Sequence, residues 1–443
     1  MIIKIPNNFI PERKYIISTL LNYFKNINYE IQTHTNKYWL FEYNNHSIKF
    51  NDAFFPYNKS SYLDEKFLPN KPIFLPANKF YPEKLPFLYG EAYFEQKENE
   101  IHIGADLFAS AFFMLTRWEE IVIKQKDRHN RFPDKLNYSK KNNLHHRPLV
   151  CEYVIFLKNL LHFIGINTQI NRKYELWITH DVDVPERYDN FITFLKTTTN
   201  DILKRKSLKM AINGTIQYTK KILAKAKDPY DNFDFIMKIS EKYNQKSHFY
   251  FIPSLKKEPK AFYDYNKPEI KNLVKKIQQR GHIIGLHASY RSYNNAEIFK
   301  QEIQRFINAY NIIPTEGRQH FLRFVNPTTW QLWEQNGLKI DSTLGFYSDI
   351  GFRTGTCYPY RVFDVIERKT LNLIEMPLIV MDGAMALLYP QPSEFIKKLS
   401  QIKKIVQKFN GTFVFLWHTN SFVLPPFDKL GKYYEEIIKT IIK

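Results

Sequence analysis

The sequence predicts a parallel α/β barrel over residues 171–443, preceded by a smaller α+β domain over residues 1–170, and three observations lead there. A chain of 443 residues exceeds one ordinary globular domain and suits two, each able to bury its own core. The composition is 44% hydrophobic and 16% aromatic with no biased repeat or long polar tract, which argues against disorder and against solenoid folds. From about residue 174 short apolar runs alternate with helical stretches, the signature of successive βαβ units.

The first domain is a different kind of sequence, rich in short aromatic segments such as KYWLFEYNNHSIKFND. Alternation there predicts strands over 37–43 and 46–50. Apolar residues at helical spacing predict one helix across ADLFASAFFMLTRWEEIV and another over 149–164. Arg117, Trp118, Glu119 and Glu120 close the first of these helices and read as a solvated or capping face. No catalytic constellation stands out in this half.

In the second half strands are expected over 174–179, 247–252, 282–287, 320–324, 338–343, 373–378 and 412–417. Helices are expected over 231–245, 268–280, 295–311, 327–336, 394–409 and 427–442. Seven strands with helices between them fit a closed or nearly closed barrel at least as well as an open doubly wound sheet. In either case polar residues at the carboxyl ends of the strands converge on one mouth, where such folds host chemistry.

Lys and Arg exceed Asp and Glu by 64 − 44 = +20, yet the basic residues are spread along the chain and no nucleic-acid module is recognisable. A solvated basic surface is therefore expected, with no nucleic acid as partner. Cys151 and Cys357 are too few for a disulfide framework and lack the spacing of a zinc ribbon. No secretion signal and no membrane-inserted segment is read, so a soluble cytoplasmic protein is expected.

The chemistry gathers at strand ends. In WITHDVD, Asp181 and Asp183 lie two residues apart, so an extended backbone points both carboxylates to one side. One can then hold a cation while the other handles a proton. In GHIIGLHASYRS, His287 ends its strand, whereas His282 lies five positions earlier with the opposite parity and reads as structural. In TFVFLWHTN, His418 follows an apolar strand directly. Asp for base, Asp and His for metal and a distal His for acid is an inventory for metal-assisted hydrolysis of an amide or ester.

The order and spacing of THDVD, GHIIGLHASY, RQHFLRFVNPTTW, DSTLGFYSDIGFRTGTCYPYRVFD and LWHTN resemble the polysaccharide deacetylase superfamily, the chitin deacetylase-like carbohydrate esterase family 4. More closely they are similar to its branch in which an uncharacterised N-terminal domain, here carrying DLFASAFFMLTRWEE, precedes the deacetylase-like domain. The resemblance implies a distorted (β/α)7 barrel. It also implies Asp181 as general base and Asp183 as metal ligand, although the family places its two aspartates side by side and here Val182 intervenes. His287 matches the first ligand histidine of the family's second motif, while the position of the second is held by Arg291, whose guanidinium stays protonated and cannot ligate.

His320 or Asp341 are then the nearest donors by strand-end position; alternatively Arg291 replaces the cation and binds an oxyanion or a substrate carboxylate. By the same resemblance Arg323 and Pro327 orient the base and line the groove, and His418 protonates the leaving group. Trp330 is a candidate sugar-stacking ring or a core residue, and Arg353 sits in a glycine-containing loop that can close over substrate or simply anchor itself. The implied protein is a hydrolase removing acetyl groups from, or cleaving another C–N amide bond in, a carbohydrate or polysaccharide precursor, with a divalent metal of the Zn²⁺ kind. The alternatives are a non-catalytic carbohydrate-binding or assembly protein that keeps the fold, and a metal-independent amide hydrolase using Arg291.

Overall fold

The computed structural model describes residues 1–56, 61–255, 258–261 and 263–442. The first sheet is built from β1 (Ile2–Pro6), β2 (Glu30–His34), β3 (Tyr38–Tyr43), β4 (His46–Asn51), β7 (Gly90–Lys97) and β8 (Glu100–Ala105), in the order β2-β1-β3-β4-β8-β7. A separate small ribbon pairs β5 (Ile73–Leu75) with β6 (Leu85–Phe87). Helices α1 (Ile10–Leu21), α2 (Leu107–Leu115), α3 (Glu119–Val122), α4 (Tyr138–Lys141) and α5 (Leu149–Phe163) complete this half.

The single helix expected across ADLFASAFFMLTRWEEIV is in fact two, α2 and α3. Asp106 caps the start of α2 by accepting from the Ala109 amide at 2.9 Å, and the run breaks at Arg117, whose φ of 51° leaves helical space. The kink turns Glu119 and Glu120 inward, so the expected solvated face is buried.

The second half forms one nine-stranded sheet from β9 (Glu175–Val182), β10 (Ser247–Phe251), β11 (Ile283–Ala288), β12 (Glu316–Gln319), β13 (Ile340–Asp341), β14 (Tyr360–Asp364), β15 (Lys369–Glu375), β16 (Val380–Met381) and β17 (Thr412–Leu416). Their order is β14-β15-β13-β12-β11-β10-β9-β17-β16, parallel throughout except for the antiparallel edge strand β14. Strands β10 and β17 are buried at every residue, as strands covered on both faces must be.

The two edges, β14 and β16, do not pair with one another among the described residues, so the sheet is an open half-barrel rather than a closed ring of seven strands. It is strongly curled. Strands β12 and β17 stand four places apart, about 19 Å in a flat sheet, yet residues that follow them, His320 and His418, come within 3.7 and 3.8 Å of the same Asp183 carboxylate.

The intervening helices are α6 (Phe191–Leu203), α7 (Leu208–Ile222), α8 (Phe233–Lys242), α9 (Pro268–Gln279), α10 (Ala296–Tyr310), α11 (Thr328–Gln335), α12 (Asp382–Leu388), α13 (Pro392–Lys408), α14 (Phe427–Leu430) and α15 (Tyr434–Ile442). The pair α6 and α7, between β9 and α8, had no sequence expectation. The expected strand over 320–324 is also corrected. The strand is β12, and His320–Leu322 is a tight turn with Phe321 and Leu322 at φ 62° and 51°. Gly317 makes β12 possible, because a Cβ there would lie 1.9 Å from the Leu286 carbonyl oxygen. No described helix is long and apolar enough to cross a membrane.

Candidate active site

Five parallel strands deliver polar groups to one rim at their carboxyl ends. Asp181 lies one residue before the end of β9 and Asp183 follows it, His287 lies near the end of β11, His320 follows β12, Asp382 follows β16 and His418 follows β17. Neighbouring His180, of opposite parity, faces away and donates from Nδ1 to the Trp417 carbonyl at 2.7 Å.

Asp183 is the hub. Its Oδ1 lies 3.3 Å from His287 Nε2 and 3.7 Å from His320 Nε2, and its Oδ2 lies 3.8 Å from His418 Nε2. Burial alone would push this carboxyl up, but the imidazoles of His320, His287 and His418 hold it well below the usual carboxylate range. The ligand atoms of Asp183, His287 and His320 all lie within 4.8 Å of one another. Tetrahedral zinc with ligand bonds near 2.0–2.1 Å sets its donors about 3.4 Å apart, close to the two spacings measured from Asp183.

Asp183 Oδ1 and both ring nitrogens of His320 are also buried without a hydrogen-bond partner. These unpartnered atoms beside His287 Nε2, a donor set of two imidazoles and a carboxylate, fit a divalent transition metal. His287 is oriented by its surroundings in the way metal sites require. His287 Nδ1 donates to the Arg318 carbonyl at 2.8 Å, which turns Nε2 toward the cluster, and His320 Nδ1 lies 3.9 Å from Glu258 Oε2.

Asp181 is held from behind. Arg318, fully buried, donates from Nη1 to Asp181 Oδ1 at 2.8 Å and to Thr179 Oγ1 at 3.1 Å. It donates further from Nε to the Ser342 carbonyl at 2.8 Å and from Nη2 to Ser342 Oγ at 3.0 Å. Asp181 Oδ2 is left facing the cluster, 3.6 Å from His287 Nε2.

On the far side His418 Nδ1 meets Asp382 Oδ1 at 2.7 Å, and the His418 amide donates to Asp382 Oδ2 at 2.9 Å. Burial would lower this imidazole, but Asp382 above all, then Asp183 and Asp181, push it up to about 10. Its side chain is 22% exposed, the most open of the group.

Asp181, Asp183, His287, His320 and His418 are thus brought together, and the remaining candidates are not. Arg291 is exposed, and among the described residues no hydrogen bond or ion pair ties its guanidinium to the cluster. Arg323 is sandwiched between the rings of Tyr290 and Tyr293, 3.9 and 3.7 Å from their centroids, and donates to the His129 carbonyl; the arginine beside Asp181 is Arg318. Trp330 is fully buried, packs on Phe324 and donates to Glu375 Oε2 at 3.2 Å, so it is core rather than a sugar platform. Pro327 is likewise buried, at the start of α11.

Arg353 does not close over a groove: it binds Glu120 Oε1 at 2.7 Å in the buried seam between the two halves of the chain. Asp341 faces Thr343 and the carboxyl of Glu375, and burial pushes it up to about 7. Arg318, Asp382 and Glu258 were missed: Asp382 directly follows β16, but Arg318 lies inside the polar strand β12 and Glu258 seven residues beyond β10, where no strand-end pattern marks them. A second group, His145, His146 and Asp349, also has ligand-like spacing, but Lys140 already matches Asp349 at 2.8 Å.

The family model described as "Family of unknown function (DUF7033)" matches residues 1–165. No curated protein matches the chain significantly. Among solved structures it is similar to a Mycobacterium smegmatis protein assigned to the polysaccharide deacetylases, at 14% identity and TM-score 0.40 over 62% of this chain and 86% of that one. It is similar to the PuuE allantoinase at 11% identity and TM-score 0.38, over 60% and 84%. A CE4 family pseudoenzyme from Bacillus anthracis matches at 11% identity and TM-score 0.31, over 61% and 64%. At such identities and scores, function has to be read from the site itself.

Proposed function

We propose that the chain is a metal-assisted hydrolase that removes an acyl group, an acetyl above all, from a carbohydrate. The observation that carries this reading is the donor triad Asp183, His287 and His320, flanked by a carboxylate braced by arginine and an imidazole braced by aspartate.

A divalent ion held by Asp183, His287 and His320 would supply Lewis acidity, polarising the scissile carbonyl and acidifying a water. Asp181, fixed through Oδ1 by Arg318, presents Oδ2 to take the proton of the attacking water. His418, oriented by Asp382 and facing inward through Nε2, returns a proton to the departing amine or alcohol, so the proton taken at one carboxylate is matched by one given at the imidazole.

This arrangement favours an enzyme over a carbohydrate-binding protein, since binding alone needs no braced acid and base. A metal-free route through Arg291 is the weaker reading, because among the described residues no hydrogen bond or ion pair ties that exposed guanidinium to the cluster.

The test begins without substrate. Zn²⁺ stoichiometry is measured on the wild type and on Asp183→Ala, His287→Ala and His320→Ala. A single tight equivalent, lost in each variant, supports the site, whereas no binding by the wild type, or full binding by His320→Ala, sinks it. A panel of N- and O-acetylated sugars then identifies a turned-over compound, on which Asp181→Asn is expected to lower turnover by roughly 10²–10⁴.

A further inference from the structure

Helices α6 and α7 form a two-helix hairpin whose inner face is small. Phe194 stacks on Tyr218 with ring centroids 4.1 Å apart, Tyr188 meets both edge-on, and the buried Asp201 pairs with Arg187 at 2.8 Å and with Arg205. The outer face is apolar and uncovered. Leu208, Ile212 and Ile216 lie four residues apart along α7, and Ile192, Leu195 and Ile202 repeat at helical spacing along α6.

Exposure runs from 45% at Ile202 to 70% at Leu203, and ten of the nineteen exposed large hydrophobic residues among those described fall within this one hairpin. A concentration of that kind marks a contact surface rather than scattered surface apolarity.

The charge around it selects the partner. Residues 191–227 carry nine Lys and Arg against one Asp, 9 − 1 = +8. Lys196, Lys204, Lys206, Lys209, Lys220 and Lys225 enter no ion pair among the described residues, and three of them cluster with Arg205 at the turn between the helices. A second copy would set this basic face against its own like charge. An uncovered apolar stripe bordered by free lysines is instead what an amphipathic helix presents to a membrane interface.

We infer that the α6–α7 hairpin docks this protein on an anionic lipid surface, burying the apolar stripe at the headgroup boundary with the lysines on lipid phosphates. The contact is peripheral and leaves the half-barrel folded in water.

The test is flotation of the full chain with vesicles of phosphatidylcholine alone and of phosphatidylcholine mixed with phosphatidylglycerol. Binding is expected to the mixed vesicles and to be released by high salt. The triple variant Lys204→Gln/Lys206→Gln/Lys209→Gln, which touches no buried group, is expected to weaken binding by about tenfold or more. Leu203→Ser/Leu208→Ser is expected to do the same, with thermal unfolding checking that both variants fold. No binding to the mixed vesicles, or variants that bind like wild type, overturns the inference. So does a concentration-dependent dimer in sedimentation that the Leu→Ser variant abolishes, because the hairpin is then covered by a second copy.

Discussion

Arg318 commits Nε, Nη1 and Nη2 to buried oxygens, and its carbonyl accepts from His287. Asp181, the proposed base, and His287, a proposed metal ligand, are therefore positioned by the same residue. A lysine there keeps the charge but loses the planar fork that reaches Asp181, Thr179 and Ser342 together. Arg318→Lys is accordingly expected to lower turnover roughly 10²-fold while leaving Zn²⁺ stoichiometry unchanged, since none of the three metal-facing donors is a hydrogen-bond partner of the guanidinium. Measuring both on the same preparation decides it: loss of metal would mean that Arg318 supports the ligands rather than the base.

Helix α10 illustrates how an element couples to the rim. Asn295 caps it by accepting from the Ile298 amide at 3.0 Å, and its buried Glu302 reaches across to accept from the Ser289 amide, just beyond His287, at 3.0 Å. Burial pushes Glu302 from 4.5 up to about 7, against the pull of Ser289, Ser292 and Arg305. The folded state therefore holds this proton more tightly than the unfolded chain. The associated stability is fully present below about pH 4.5 and is lost as pH rises through about 7, up to about 3 kcal/mol in all. Glu302→Gln keeps an acceptor for Ser289 and is expected to flatten the slope. Urea unfolding of wild type and variant on either side of that window checks it, and parallel pH profiles would refute the assignment.

At the scale of the whole molecule, the two halves share one continuous apolar core and a buried ionic seam. Arg117 pairs with Glu119 at 2.6 Å and with Glu120 at 2.9 Å, Arg353 joins Glu120 from the other half, and Arg117 Nη1 donates to the Arg353 carbonyl at 2.8 Å. The loop carrying Arg353 is clamped on both sides, with the Phe352 amide donating to the His145 carbonyl at 2.7 Å and the Val150 amide to the Gly355 carbonyl at 2.8 Å. Glu120→Ala takes from the buried Arg353 its closest carboxylate and from Arg117 one of its two, and is expected to cost about 3–5 kcal/mol. Chemical denaturation measures this, and a loss below about 1 kcal/mol would mean that the seam behaves like a surface ion pair. Cys151 and Cys357 meet across the same seam with sulfurs 3.5 Å apart, a proximity that their sequence positions gave no reason to expect.

What the sequence by itself determined is local. Strand and helix periodicity places Asp181, Asp183, His287 and His418 at strand ends, and a strand end in a parallel sheet is a rim position whatever the neighbours. His320 was legible only as one of two candidate donors, because choosing between it and Asp341 requires knowing which strands adjoin. Arg318 and Asp382 gain their meaning from residues far along the chain, Asp181 and His418, which come near only when the sheet curls. Trp330 and Arg353 have the chemistry of binding groups, yet packing buries one in the core and the other in the ionic seam with Glu120. Strand order, curl and docking between the halves are decided by burying apolar surface over the whole chain, and that long-range packing is what local periodicity does not encode.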